Sequence, residues 1–252
     1  MNTRFEALLA LLALAAGTGA AAGAPPPWSY SGATGPAHWG SEDPAWAACA
    51  NGHEQSPIDI GNAQRQDLPA IEFDYHPVPL AVTDTGFTMQ VNVPAGSGGI
   101  SVGGERYELV QFHFHRPSEE RIRGRRYALV AHLVHKNAKG EIAVVAVLIQ
   151  RAKGRQNPLM KQMFDNFPAG KGEQKLAGAT LDPMQLLPRA RGYYTFEGSL
   201  TIPPCSEGVR WFVLKQPLPA QSGQIAQFAV RYPDNARPTQ PLNGRSIAQT
   251  RN

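Results

Sequence analysis

Residues 142–149, IAVVAVLI, are eight apolar side chains in succession. A strand of that composition has no face to show to water. It must be covered on both sides, at the centre of a sheet. Shorter runs with strand character lie around it: IEFDY (71–75), FTMQVNV (87–93), YELVQFHFH (107–115), RYALVAHLVH (126–135), GYYTFEGSL (192–200) and VRWFVLK (209–215). Turn residues separate them, drawn from 25 Gly and 22 Pro. Helical patterns are short, at 158–167, 183–187 and 221–230. Residues 25–46, rich in Gly, Pro, Ser and Trp, read as an irregular arm packed by its tryptophans. No repeat and no linker divides the chain. The expectation is a mainly β (α+β) fold, one domain with peripheral helices.

The bulk numbers exclude several classes. At 42% hydrophobic and 17% charged the chain is not intrinsically disordered. A net charge of +4 is too small to suggest nucleic acid. No stretch of about 20 apolar residues lies in the body, so nothing there spans a membrane. The first 23 residues differ. Arg4, an apolar run from Ala7 to Ala16 and small residues from Gly17 onward have the form of a secretory signal peptide. Glu6 fits the other reading, a short buried helix. Cleavage between 20 and 24 would leave residues 24–252 as an exported, periplasmic or secreted domain. Export favours pairing the two cysteines, Cys49 and Cys205, over leaving two buried thiols. A bridge across so long a loop stabilises by about 4–5 kcal/mol in the chain-entropy view.

Four of the seven histidines fall between 113 and 135. If 107–135 is a hairpin with Arg123–Gly124 at its tip, His115 lies opposite His132, and His113 opposite Val134. Alternation along a strand puts Gln111, His113 and His115 on one face, with Val130, His132 and Val134 on the matching face of the partner. His135 points the other way and reads as a structural histidine. His38, His53 and His76 read as ordinary surface or core histidines. Three neutral imidazoles on a rigid sheet with an open fourth position are a catalytic zinc ligand set. The alternative is cross-strand pairing with no metal. Glu119 has the parity of His113 and His115. It could line the same cavity, sit in a solvated turn, or ligate metal directly as in a cupin.

The segments GPAHW (35–39), QSPIDI (55–60), QFHFH, PSEE, AHLVH, GSLTIPPCSE (198–207), WFVLK (211–215) and NARPTQPLNGR (235–245) occur in this order. The chain they punctuate resembles the α-class carbonic anhydrases, most closely the exported bacterial branch. The resemblance implies a twisted, mostly antiparallel sheet of about ten strands with Zn2+ in a conical cleft. It implies reversible hydration of carbon dioxide to bicarbonate by zinc-bound hydroxide. By position, His113, His115 and His132 match the metal ligands, and Thr201 and Glu119 the catalytic pair. Leu200, Val134, Val144, Val209 and Trp211 match the carbon dioxide pocket. Gln111 matches the partner of His113, and Asn235 and Arg237 a structural segment beside the site.

Four positions depart from the family. Val130 stands where a glutamate usually accepts the N–H of His132, so His132 is expected to be poorly held. Ile202 replaces a common threonine. Phe87 replaces the histidine that shuttles protons in fast enzymes. Glu120 replaces a frequent histidine, with an effect of unassigned sign. A slow enzyme is expected. The rival reading is a carbonic anhydrase-like binding or structural protein with little turnover. The sequence leaves the oligomeric state open, a homodimer included.

Overall fold

The computed structural model describes residues 28–154 and 156–251. The expected leader lies outside them. Ten strands run side by side, labelled here in chain order: β1 Gln64–Gln66, β2 Val78–Asp84, β3 Met89–Asn92, β4 Glu105–His115, β5 Leu129–Lys136, β6 Ile142–Arg151, β7 Gly172–Leu181, β8 Tyr193–Ser199, β9 Glu207–Leu214 and β10 Ala248–Thr250. Their spatial order is β7-β2-β3-β4-β5-β6-β9-β8-β10-β1. Three short strands, Glu72–Phe73, Gly99–Val102 and Leu218–Ala220, join this sheet at its sides, making thirteen among the described residues. Pairing along the ten is antiparallel except at β6–β9 and β10–β1.

The apolar run 142–149 lies in β6, the sixth strand counted from the β7 edge and the fifth from the β1 edge. Its alternate residues feed two cores. Ala143, Val145, Val147 and Ile149 face the larger core, and Val144, Ala146 and Leu148 a second core with Val130, Phe196 and Trp211. Helices cover the first face. Pro158–Asp165 starts at Asn157, whose side chain accepts the Met160 N–H, and buries Leu159, Met160, Met163 and Phe164. Ser222–Arg231 starts with a capping box between Gln221 and Gln224 and buries Ile225 and Phe228. The second core lies beneath the face that carries the histidines.

Several elements differ from expectation. RYALVAHLVH becomes a strand only at Leu129, because residues 116–128 leave the sheet; within them Arg121–Ile122 pairs in parallel with Asp59–Ile60. IEFDY narrows to Glu72–Phe73. The strands β2, β7 and Gly99–Val102 are additional to those expected; β7 is exposed along almost its whole length, whereas β2 buries the alternating Val78, Leu80 and Val82. The arm holds short helical turns at Gly32–Thr34, Trp39–Glu42 and Pro44–Trp46. It is packed by its tryptophans as expected, with Trp39 wholly buried against Trp28 and Tyr30. Cys49 and Cys205 form a disulfide with Cα atoms 5.0 Å apart, 156 residues apart in sequence. Arg237 is buried beside it and donates to the Cys49 and Ser56 carbonyls and to Gln55. The disulfide, with a Gln55 Nε2–H bond to the Cys205 carbonyl, ties this segment to the loop that carries Thr201.

Candidate metal centre

β4 and β5 place three imidazoles on one face, but in a shifted register. His113 lies directly opposite His132, and His115 opposite Val130. The sequence reading paired His115 with His132. Its error is two residues, because the 116–128 excursion is not a symmetric hairpin. A shift of two preserves face, so the same three histidines still converge. Ring centroids stand 4.9 Å apart for His113–His115, 5.4 Å for His113–His132 and 4.8 Å for His115–His132. Each of the three offers a ligand atom within 4.8 Å of the others. A bulge between Leu109 and Gln111 lies beyond the histidines and does not disturb them. His135 opens on the other face. The Tyr75 hydroxyl donates to its Nε2 at 2.9 Å, and its Nδ1–H donates to the Ala143 carbonyl at 3.2 Å.

The partners behind each ring fix which nitrogen faces inward. His115 Nδ1–H donates to the Asn235 carbonyl at 2.7 Å; a carbonyl can only accept, so Nε2 carries the lone pair. His113 Nδ1–H donates to Gln111 Oε1 at 2.7 Å, leaving its Nε2 in the same state. These two Nε2 atoms face each other at 3.0 Å. Two lone pairs so close repel unless a cation lies between them. Tetrahedral zinc–nitrogen bonds of about 2.0–2.1 Å separate nitrogens by roughly 3.3 Å, so the pair is near the spacing that ion needs. Burial, with His132 adding repulsion, pushes His113 down to about 3 and His115 well below its usual range, which keeps both neutral and able to ligate. The donor set fits a zinc ion.

His132 is held differently. Val130 offers no acceptor, as the sequence indicated, yet His132 is not loose. Its Nε2–H points at both oxygens of Glu120, at 3.1 and 3.2 Å, leaving Nδ1 for the common centre. Burial opposes charge on His132, but the Glu120 carboxylate, with Glu119 behind it, outweighs that and raises its pKa. Sequence reasoning noted Glu120 without a role. The signal was there: a histidine missing its partner and an unassigned carboxylate beside Glu119.

Glu119 reaches the site through the loop rather than by strand parity, since the strand ends at His115. It is wholly buried, and its Oε1 accepts the Arg237 backbone N–H at 2.7 Å. Its Oε2 has no hydrogen-bond partner within normal distance, but the Thr201 hydroxyl stands near enough to lower the carboxyl pKa. Burial dominates, and the carboxyl is pushed up to about 7. Asn235 Nδ2 donates to the Phe87 and Phe114 carbonyls, and its side-chain oxygen accepts the Arg116 N–H, so it braces the loop as well as His115.

Two adjoining cavities open onto the centre and share Gln111, His113 and Ile202. One, of about 190 Å³, is lined by Val134, Val144, Leu200, Thr201 and Trp211 beside His113 and His132. Val209 is buried beside them, in the same core as Val144 and Trp211. The other, of about 130 Å³, has Phe87 and Tyr30 in its wall. Phe87 stacks on Trp28 at 3.8 Å. His38, His53 and His76 line neither cavity.

A mostly antiparallel sheet that carries three converging imidazoles on its face, under an apolar pocket, defines a class of protein with a site that could hold a metal ion. The model of the eukaryotic-type carbonic anhydrase family matches residues 34–251. A carbonic anhydrase of Nostoc sp. is 39% identical over 228 residues, covering 88% of this chain and 85% of that one. One of Klebsiella pneumoniae is 40% identical over 224 residues, covering 88% and 90%. The α-carbonic anhydrase of Thermovibrio ammonificans, solved with the inhibitor sulfanilamide, superposes with a TM-score of 0.83 at 40% identity, covering 88% of this chain and 98% of that one. The chain belongs to the eukaryotic-type, or α-class, carbonic anhydrases, whose general activity is the hydration of carbon dioxide.

Proposed function

We propose that this chain binds Zn2+ through His113, His115 and His132 and reversibly hydrates carbon dioxide to bicarbonate and a proton. The observation that carries the reading is the pair of inward-facing Nε2 lone pairs 3.0 Å apart, with His132 Nδ1 completing the set. Bound there, zinc supplies a hydroxide nucleophile at neutral pH by lowering the pKa of water from about 15.7 to about 7.

The chain's own residues do the rest. Glu119, its Oε1 fixed by the Arg237 N–H, has Oε2 left to accept a hydrogen bond from the nearby Thr201 hydroxyl. A hydroxyl whose proton is committed this way offers only its lone pairs to the metal side, so Thr201 orients the nucleophile as an acceptor. Val134, Val144, Leu200 and Trp211 form an apolar wall that suits a small molecule without charge or dipole. The Trp211 indole N–H is tied to the Ser199 carbonyl at 3.1 Å, so the wall keeps its shape. Each cycle leaves one proton to export, and Phe87 at the cleft wall cannot carry it.

The disulfide fits an oxidising compartment, and a leader at residues 1–23 would deliver the domain of residues 24–252 there. No helix among the described residues is long and apolar enough to cross a membrane. The test is metal content by mass spectrometry beside carbon dioxide hydration. Wild type should hold one zinc per chain, His132→Ala should lose zinc and activity together, and His135→Ala should keep zinc. Equal zinc loss in both variants would refute the ligand set.

A further inference from the structure

The three imidazoles are braced from behind by three different acceptors. His113 uses Gln111, two residues back on its own strand and face. His115 uses a main-chain carbonyl from a distant segment. Position 130 stands to His132 as 111 stands to His113, but Val130 fills it, with no exposed surface, in the second core. The acceptor comes instead from the loop after β4. That loop is anchored apart from the carboxylate itself: Ser118 Oγ donates to the Glu120 carbonyl at 2.8 Å and accepts the Tyr127 N–H at 2.9 Å, and the Arg121 N–H donates to the Ile58 carbonyl at 3.2 Å.

Glu120 is wholly buried, and among the described residues the His132 N–H makes the only hydrogen bonds to its carboxylate. A buried carboxylate with one partner is costly and a poor source of stability. Its retention is better explained by what it does to that partner. We propose that Glu120 is the positioning residue of the metal centre: from the loop it takes the bracing role that position 130 cannot fill, holding His132 with Nδ1 inward, and the loop and strand positions for this carboxylate are mutually exclusive. The proposal rests on the zinc reading above. A carboxylate at 130 in the presence of Glu120 would put two anions at one N–H in a buried site, so it would add repulsion rather than a second brace.

The experiment is the rate of zinc release to excess chelator, followed with a metal-sensitive dye, in wild type and four variants. Glu120→Ala should release zinc about 10–100-fold faster. Glu120→Gln, which keeps an acceptor but loses the charge, should fall between them. Val130→Glu alone should release zinc no more slowly than wild type, whereas Val130→Glu combined with Glu120→Ala should recover most of the loss. A residue with a merely structural role would not be rescued by a carboxylate placed on another element. The near-ultraviolet dichroism of each metal-free variant reports folding; if Glu120→Ala fails to fold, Glu120→Gln and the double variant carry the test. Wild-type release rates in both Glu120 variants, or slower release in Val130→Glu alone, would overturn the proposal. A wild-type protein that takes up no zinc would instead refute the metal reading beneath it.

Discussion

Two residues set the chemistry's weak point and its acid limit. Phe87 lies in the cavity wall, stacked on Trp28, where a group titrating near neutrality would be needed to pass protons to solvent. Turnover should therefore be low in dilute buffer and rise with imidazole-type buffers, while efficiency at low carbon dioxide stays nearly constant. Phe87→His should raise turnover in dilute buffer and blunt that dependence. A wild-type rate already high and indifferent to buffer would show that another group moves the proton. His135 matters for stability. Burial pushes its imidazole down to about 3, against about 6.5 in an unfolded chain. Between those values the unfolded state binds more protons, so this group's stabilising contribution is full above pH 6.5 and is lost as pH falls toward 3. His135→Gln should flatten the fall in melting temperature between pH 6.5 and 4 while leaving zinc in place. An unchanged acid limb would contradict this assignment.

At the scale of elements, the chain's legibility followed the period of the strand. β6 was readable because an unbroken apolar run has one solution, and both its faces feed cores. The choice of His113, His115 and His132 over His135 needed only parity, which survives any shift of two. The register itself was not readable. It depends on residues 116–128, where the chain leaves the sheet to pair Arg121–Ile122 with Asp59–Ile60, a contact between segments remote in sequence. The same excursion hid Glu120: no local period says that a loop carboxylate turns back onto His132. β7 was missed for the opposite reason, since an exposed edge strand carries almost no apolar signal. The resemblance supplied Thr201, which no strand or helix period could have placed, and gave a role to Glu119, which parity had only offered as one reading. It also suggested Val209 as a pocket residue; that side chain packs in the second core with Val144 and Trp211, which line the cavity.

For the whole molecule, the segment after the arm is joined to the Thr201 loop by the Cys49–Cys205 disulfide and by Gln55, whose Nε2–H donates to the Cys205 carbonyl at 3.0 Å, while buried Arg237 holds Cys49, Gln55 and Ser56 together on the near side. Reduction should lower the melting temperature, since a bridge over so long a loop contributes about 4–5 kcal/mol. It should not release zinc, because both cysteines lie apart from the three histidines. Zinc loss on mild reduction would mean that the arm holds the centre together. The central claim is that hydration occurs at a zinc held by His113, His115 and His132. Its most direct test is a titration of zinc into metal-free protein, with carbon dioxide hydration followed by stopped flow at each addition. The rate should rise in proportion to bound zinc and stop rising at one equivalent per chain; hydration without zinc, or a fully loaded chain that does not hydrate carbon dioxide, would contradict the account.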